Sequence, residues 1–475
     1  MFGAGSTSST TSSSTLLIGE GELNIVPAKA QRRKEELGQP LRLCTFAGDT
    51  PSPVRRLNST WRYLILAGAI HLALTTAIFL IGHFRLMPNT FNEDGIGITF
   101  AIDGKTYHQV AVNLVTEWQQ HGFNAWLETK APLHSRLHSL SFMIFGPLLG
   151  YNILSAEPLN LFYFLAILTC IYLLGRELFD AQTGLLAAAI VGVWPTFLFH
   201  STQLIRDPLS ILCLLALMLV LTMVLSREFA WREGILIAIA GAVLVTLFWL
   251  ARGNMWSVIV IAVAITLVML VLRMIRAKKL LAANSLVMLL TIVALLIVPS
   301  RLESTGLPGV RPPVVTTTVP STIKQMSGRR AGFRSYTSQA SNIDEDVEFQ
   351  STGDVLRYLP RAFVIGFFSP FPKMWIEAGS FGRAPRLMSG LETLVMYFLY
   401  LVVGLSAWRA RRNMKMWLVF LVATIGMLAL GLVVVNVGAL FRIRYVFWMM
   451  LIVLAARGLL DRMSKIFKID KIGIM

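Results

Sequence analysis

Apolar runs of about 20 residues, the length that crosses hydrocarbon as a helix, recur along this chain. Hydropathy and spacing predict ten of them, at 63–83, 158–175, 184–200, 208–226, 234–251, 254–272, 281–299, 388–408, 416–436 and 440–459. Lipid offers backbone N–H and C=O groups no partner, so each run must satisfy its own hydrogen bonds as a helix. The expected fold is an all-α polytopic membrane protein with about 10 transmembrane helices. Charged residues make up only 15% of the chain, against about 25% in a soluble protein.

The net charge of +17 would suggest nucleic acid on a soluble domain. Here topology explains it, because cytoplasmic loops collect Lys and Arg, and no nucleic-acid partner is expected. With the basic N-terminus inside, 24 of the 43 Lys and Arg fall on the cytoplasmic side and 19 outside. Eleven of those 19 lie in one long loop, which crosses regardless of charge, so the comparison is 24 against 19 − 11 = 8. RMIRAKK (273–279) and WRARRNMK (408–415) both fall inside. Both termini are therefore expected in the cytoplasm, in a multi-pass cell (inner) membrane protein.

Four segments follow. Residues 1–60 form a cytoplasmic N-terminus: MFGAGSTSSTTSSST is expected to be disordered, and KAQRRKEELGQPLRL to form a short basic amphipathic helix. No signal peptide is read, since no cleavage site follows the first apolar run. Residues 61–299 form a transmembrane core with a first outer loop at 84–157. Residues 300–387 form a second, long outer loop, and 388–475 the last spans and a short basic tail. HSLSFMIFGPLLG (138–150) is too short and proline-marked to span, and reads as a juxtamembrane helix on the outer side. Cys44, Cys170 and Cys213 form no CxxC pair and support neither a disulfide framework nor a cysteine zinc site.

On this topology Asp103, Arg206, Asp207, Arg252, Arg442 and Arg444 all fall at outer ends of spans or in outer loops. Tyr107, Val110, Ala111, Leu114 and Trp118 make the apolar stripe of an amphipathic helix, with Asp103 just before it. Asp103 and Asp207 each read as helix caps, the latter followed by proline. Arg252 and Arg444 read equally as snorkelling span ends. Two aspartates facing a ring of arginines suit another task, transfer from a lipid-phosphate donor. A carboxylate accepts a proton from an acceptor hydroxyl, and arginines hold the departing phosphate. Asp103 and Asp207 are thus the candidate catalytic residues, and Arg206, Arg252, Arg442 and Arg444 the candidate phosphate contacts.

The order of motifs resembles a known family. An outer D-x-x-x-Y-x-x-x-A (Asp103, Tyr107, Ala111) precedes a short apolar helix ending in Gly. YLLGRELFDAQTGLLAAAIVGVWP and QLIRDP follow, and then LRYLPRAFVIGFFSPFP and NVGALFRIRYVF. This resembles the GT-C glycosyltransferases, in particular the bacterial relatives of protein O-mannosyltransferases and aminoarabinose transferases (glycosyltransferase family 39-like), best over about residues 60–275. The resemblance implies a polyprenyl-phosphate sugar donor and inverting transfer on the extracytoplasmic face to a glycan, lipid or protein. It maps the base onto Asp103 and the second acid onto Asp207. Many relatives carry an adjacent acidic pair, whereas Gly104 follows Asp103. The base is Asp103 or Asp94 of FNEDGIG, and the spacing to Tyr107 and Ala111 favours Asp103. Tyr107, Asp94 and His108 are the candidate substrate contacts.

The resemblance leaves a divalent cation optional, since members of the wider superfamily differ in using one. His134 and His138, at i and i+4, read as a surface pair rather than a zinc site, because no acid lies nearby. Two rivals stand beside this reading: a polysaccharide polymerase or ligase using a lipid-diphosphate donor, and a lipid-linked sugar flippase or transporter. The latter tends to show repeats and broken helices. Sugar, acceptor and oligomeric state do not read out from the sequence.

Overall fold

A computed structural model describes residues 53–88, 90–92, 95–305, 322–335, 342–377 and 383–472. The basic stretch at 29–43, Cys44, Glu93 and Asp94 lie outside the described residues. Helix α1 (Pro53–His83) is followed by α2 (Ile102–Glu128) and α3 (Leu133–Leu149), then by α4 (Ile153–Leu178), α5 (Ala181–Gly192) and α6 (Pro195–Ser201). Next come α7 (Asp207–Ser226), α8 (Trp231–Arg252), α9 (Trp256–Ala277) and α10 (Ala282–Thr305). The long loop holds α11 (Thr322–Ser335), α12 (Thr352–Phe368) and α13 (Pro372–Ile376). The chain closes with α14 (Ala384–Arg409), α15 (Met414–Val433), α16 (Val437–Ile443) and α17 (Tyr445–Ile472).

This is an all-α polytopic membrane protein. Seven stretches of the described residues are long and apolar enough to cross a bilayer, and two bent helix pairs raise the number to nine. The 47-residue stretch Trp231–Ala277 counts once in that number, yet it turns back at a 3-10 turn, Gly253–Met255. Arg252, at the turn, pairs with Asp207 at one end of α7. Arg273 donates to the carbonyls of Val224 and Arg227 at the other end. Thus α8 and α9 run in opposite directions and each is long enough to cross; counting them apart, and each bent pair as one, gives ten candidate spans among the described residues.

Two spans break where the sequence reading drew them straight. Between α5 and α6 the axis bends by 71°. Pro195 has no N–H to donate, and it holds Trp194 extended at ψ 112°. Glu392 of α14 accepts from the Trp194 indole (2.7 Å), the Thr196 amide (2.7 Å) and the Thr196 hydroxyl, so a carboxylate from another helix satisfies the freed end of α6. Between α16 and α17 the bend is 52°.

Burial sets the layers. Helix α7 is 72% buried over its apolar window and α1 only 22%, so α7 is central and α1 peripheral. Leu391, Leu394, Val395, Phe398 and Leu401 of α14 are exposed, as side chains facing lipid must be. In the long loop, α12 packs along α15 at glycines. A Cβ on Gly431 would lie 2.0 Å from the Ala362 carbonyl oxygen, and one on Gly366 2.2 Å from that of Met427. Gly431→Val should therefore push the helices apart and cost about 1–3 kcal/mol, read as a lower melting temperature in detergent. Gly404→Val, where a Cβ meets open space, should leave melting unchanged.

Arg330 and Asp344 hold the loop helices. Buried Arg330 donates to the carbonyls of Asp344 (2.6 Å), Val347 (3.1 Å) and Leu432 (2.8 Å). The Asp344 carboxylate accepts from Arg361 (2.8 and 3.0 Å) and Tyr358 (2.9 Å). The Arg361 bonds above all hold this carboxyl below the ordinary carboxylate range. Its contribution is present above the unfolded pKa and lost as pH falls through the lower folded value. Hydrogen exchange across 342–368 should rise on acidification below about pH 4, and Asp344→Asn should remove that dependence.

Candidate functional site at one end of the bundle

Because α7 is the most buried span, Asp207 at its first residue stands near the middle of the bundle's end. Its carboxylate is not a cap. It pairs with Arg252 Nη2 (2.6 Å) from the end of α8 and with Arg442 Nε (3.2 Å) from α16. Arg442 reaches on to Asp103 Oδ2. Asp103 is not a cap either: it lies in the first turn of α2, and Ala101 occupies the cap position. The cap reading fails for both residues because a charged partner, 339 residues away in the case of Asp103, binds more strongly than a local N–H.

A chain of ion pairs therefore runs Asp103–Arg442–Asp207–Arg252. Asp207 and Arg252 side chains are each 3% exposed, Arg442 14%, and Asp103 44%. The cluster is thus dry at one end and open at the other. Arg206, just before Asp207, acts on it and leaves its own buried Nε without a hydrogen bond. Three guanidiniums against two carboxylates leave one net positive charge, which suits a bound anion.

Tyr107 stands in the field of the whole group. Burial raises its pKa, Arg206 opposes this, and Asp103 and Asp207 add to it. His134 meets the Tyr107 ring edge-on at 4.2 Å between centroids. The expected surface pair is corrected here: His134 and His138 are 2% and 1% exposed, because α3 packs against both α2 and α4. His138 is satisfied by the His134 carbonyl (2.8 Å) and Asn160 (3.1 Å). His134 is the residue at the cluster that sequence reasoning missed.

Two expected contacts lie elsewhere. Arg444 is fully buried, with its guanidinium 4.0 Å from the Trp448 ring centroid and donating to the Gly366 carbonyl (3.2 Å). It braces α12 against α17 at the bend. His108 bonds the Tyr151 carbonyl (2.7 Å), tying α2 to the turn after α3. Among the described residues no three His, Cys, Asp or Glu side chains are grouped to hold a metal. The two acids of the cluster are joined through Arg442, and a divalent cation there would face a guanidinium. Among the described residues, the cluster's donor set does not fit one.

Fold and site together define a polytopic helical membrane protein with an acid–arginine cluster at one end. No family model matches the chain, and no curated protein does. Among solved structures, the archaeal oligosaccharyltransferase AglB from Archaeoglobus fulgidus, in complex with an inhibitory peptide and a dolichol-phosphate, is 14% identical with a TM-score of 0.40. The match covers 84% of this chain and 51% of that one, so the chain spans about half the length of that enzyme. A similarity of this level defines neither a shared fold nor a shared activity.

Proposed function

We propose that this chain is an integral-membrane glycosyltransferase of GT-C type, moving a sugar from a polyprenyl-phosphate donor to a glycan, lipid or protein acceptor on the extracytoplasmic face. The observation that carries the reading is the half-open ion-pair chain from Asp103 to Arg252. Asp103, the exposed carboxylate, takes the proton of an acceptor hydroxyl. The hydroxyl oxygen forms a bond to the anomeric carbon as that carbon's bond to the phosphate oxygen breaks. The phosphate keeps the electron pair, and Arg206, Arg252 and Arg442 meet its added charge. One displacement inverts the anomeric configuration. Asp207, with its carboxylate turned to two arginines, positions them rather than reacting.

The two broken spans favour one further reading, a lipid-linked sugar transporter. Label transfer from polyprenyl-phosphate sugars in membranes, wild type against Asp103→Asn, separates the two. Glycosyl transfer predicts loss of turnover in the variant. Movement of intact donor without transfer contradicts it.

A further inference from the structure

His134 Nε2 is buried and has no hydrogen-bond partner. A buried polar atom left unpaired is costly, and chains keep few of them. This one stands where charge gathers. Tyr107 packs on the ring, while Arg206, Arg252 and Asp207 all act on it. Arg206 and Arg252 each also hold a buried Nε without a hydrogen bond. With Arg442 Nε, four buried nitrogens of one cluster lack a hydrogen bond; both Asp207 carboxylate oxygens lack one too but sit in ion pairs with Arg252 and Arg442, so the cluster keeps an excess of positive charge. A neutral hydroxyl would not balance that excess, and an anion with several oxygens would.

We propose that Nε2 of His134 is a contact for an oxygen of a phosphate anion that docks between Arg206 and Arg252. That this phosphate comes from the lipid-linked donor rests on the function proposed above; the contact itself does not. Burial, then His138 and the two arginines, holds the free imidazole well below its ordinary pKa, with Asp207 opposing. A docked anion adds negative charge beside the ring and raises that pKa. Phosphate binding then draws a proton from solvent onto His134, and does so most as the phosphate approaches its dianionic form.

The full-length protein in detergent, titrated with farnesyl phosphate by calorimetry in two buffers of different ionisation enthalpy, tests this. Wild type should bind with net proton uptake. His134→Phe should weaken binding about tenfold or more and abolish the uptake, while its melting temperature holds or rises, since an unpaired buried nitrogen is removed. His134→Gln should keep most of the affinity and lose the uptake. Inorganic phosphate should compete and farnesol should not. Unchanged affinity and proton uptake in His134→Phe, or equal binding of farnesol, would overturn the proposal. A wild type that binds farnesyl phosphate in this way but transfers no sugar would instead overturn the proposed function and leave this contact standing.

Discussion

Asp103→Asn is expected to reduce sugar transfer by about two orders of magnitude or more, the loss that follows removal of a general base. The fold should survive. The Asp103 side chain is 44% exposed, and an exposed ion pair contributes about 1 kcal/mol or less. The asparagine carbonyl can still accept from Arg442, so the arginine keeps its place. Matched expression and melting with lost turnover assign the effect to chemistry. Equal turnover would reduce Asp103 to an anchor for Arg442.

Asp207→Ala should have the largest effect on stability. Asp207 and Arg252 side chains are each 3% exposed, and Arg442 also leans on this carboxylate. Removing one partner of a buried pair strands the other's charge, at a cost of about 3–5 kcal/mol. Replacing both, as Asp207→Leu with Arg252→Met, should recover much of that loss, because an apolar pair leaves less uncompensated charge. Thermal melting of Asp207→Leu, Arg252→Met and the double closes the cycle. A single variant that melts with the wild type would mean that Arg252 finds another partner, and that Asp207 does not organise the cluster.

The spans were legible because hydrocarbon demands about 20 apolar residues in a row, a signal no tertiary contact can rearrange. The break at Pro195 was legible in principle, since proline inside an apolar run ends or kinks a helix. The partner of Asp103 was not. Local spacing offers a cap, and nothing near Asp103 announces Arg442, 339 residues on. Arg444 closes α16 two residues past Arg442, and its burial against Trp448 and the Gly366 carbonyl rests on distant parts of the chain that spacing does not bring together. His134 sits in a polar stretch of sequence and was read as surface. Its burial comes from α3 docking between α2 and α4, which no local pattern encodes.

The most direct test is donor consumption by wild-type membranes, offered a labelled sugar on a polyprenyl monophosphate, the same sugar on the diphosphate, or the monophosphate in sealed vesicles with transport followed instead. Transfer from the monophosphate, with polyprenyl phosphate released and the anomeric configuration inverted, is the predicted result. Transfer only from the diphosphate, or transport with the donor intact, would contradict it.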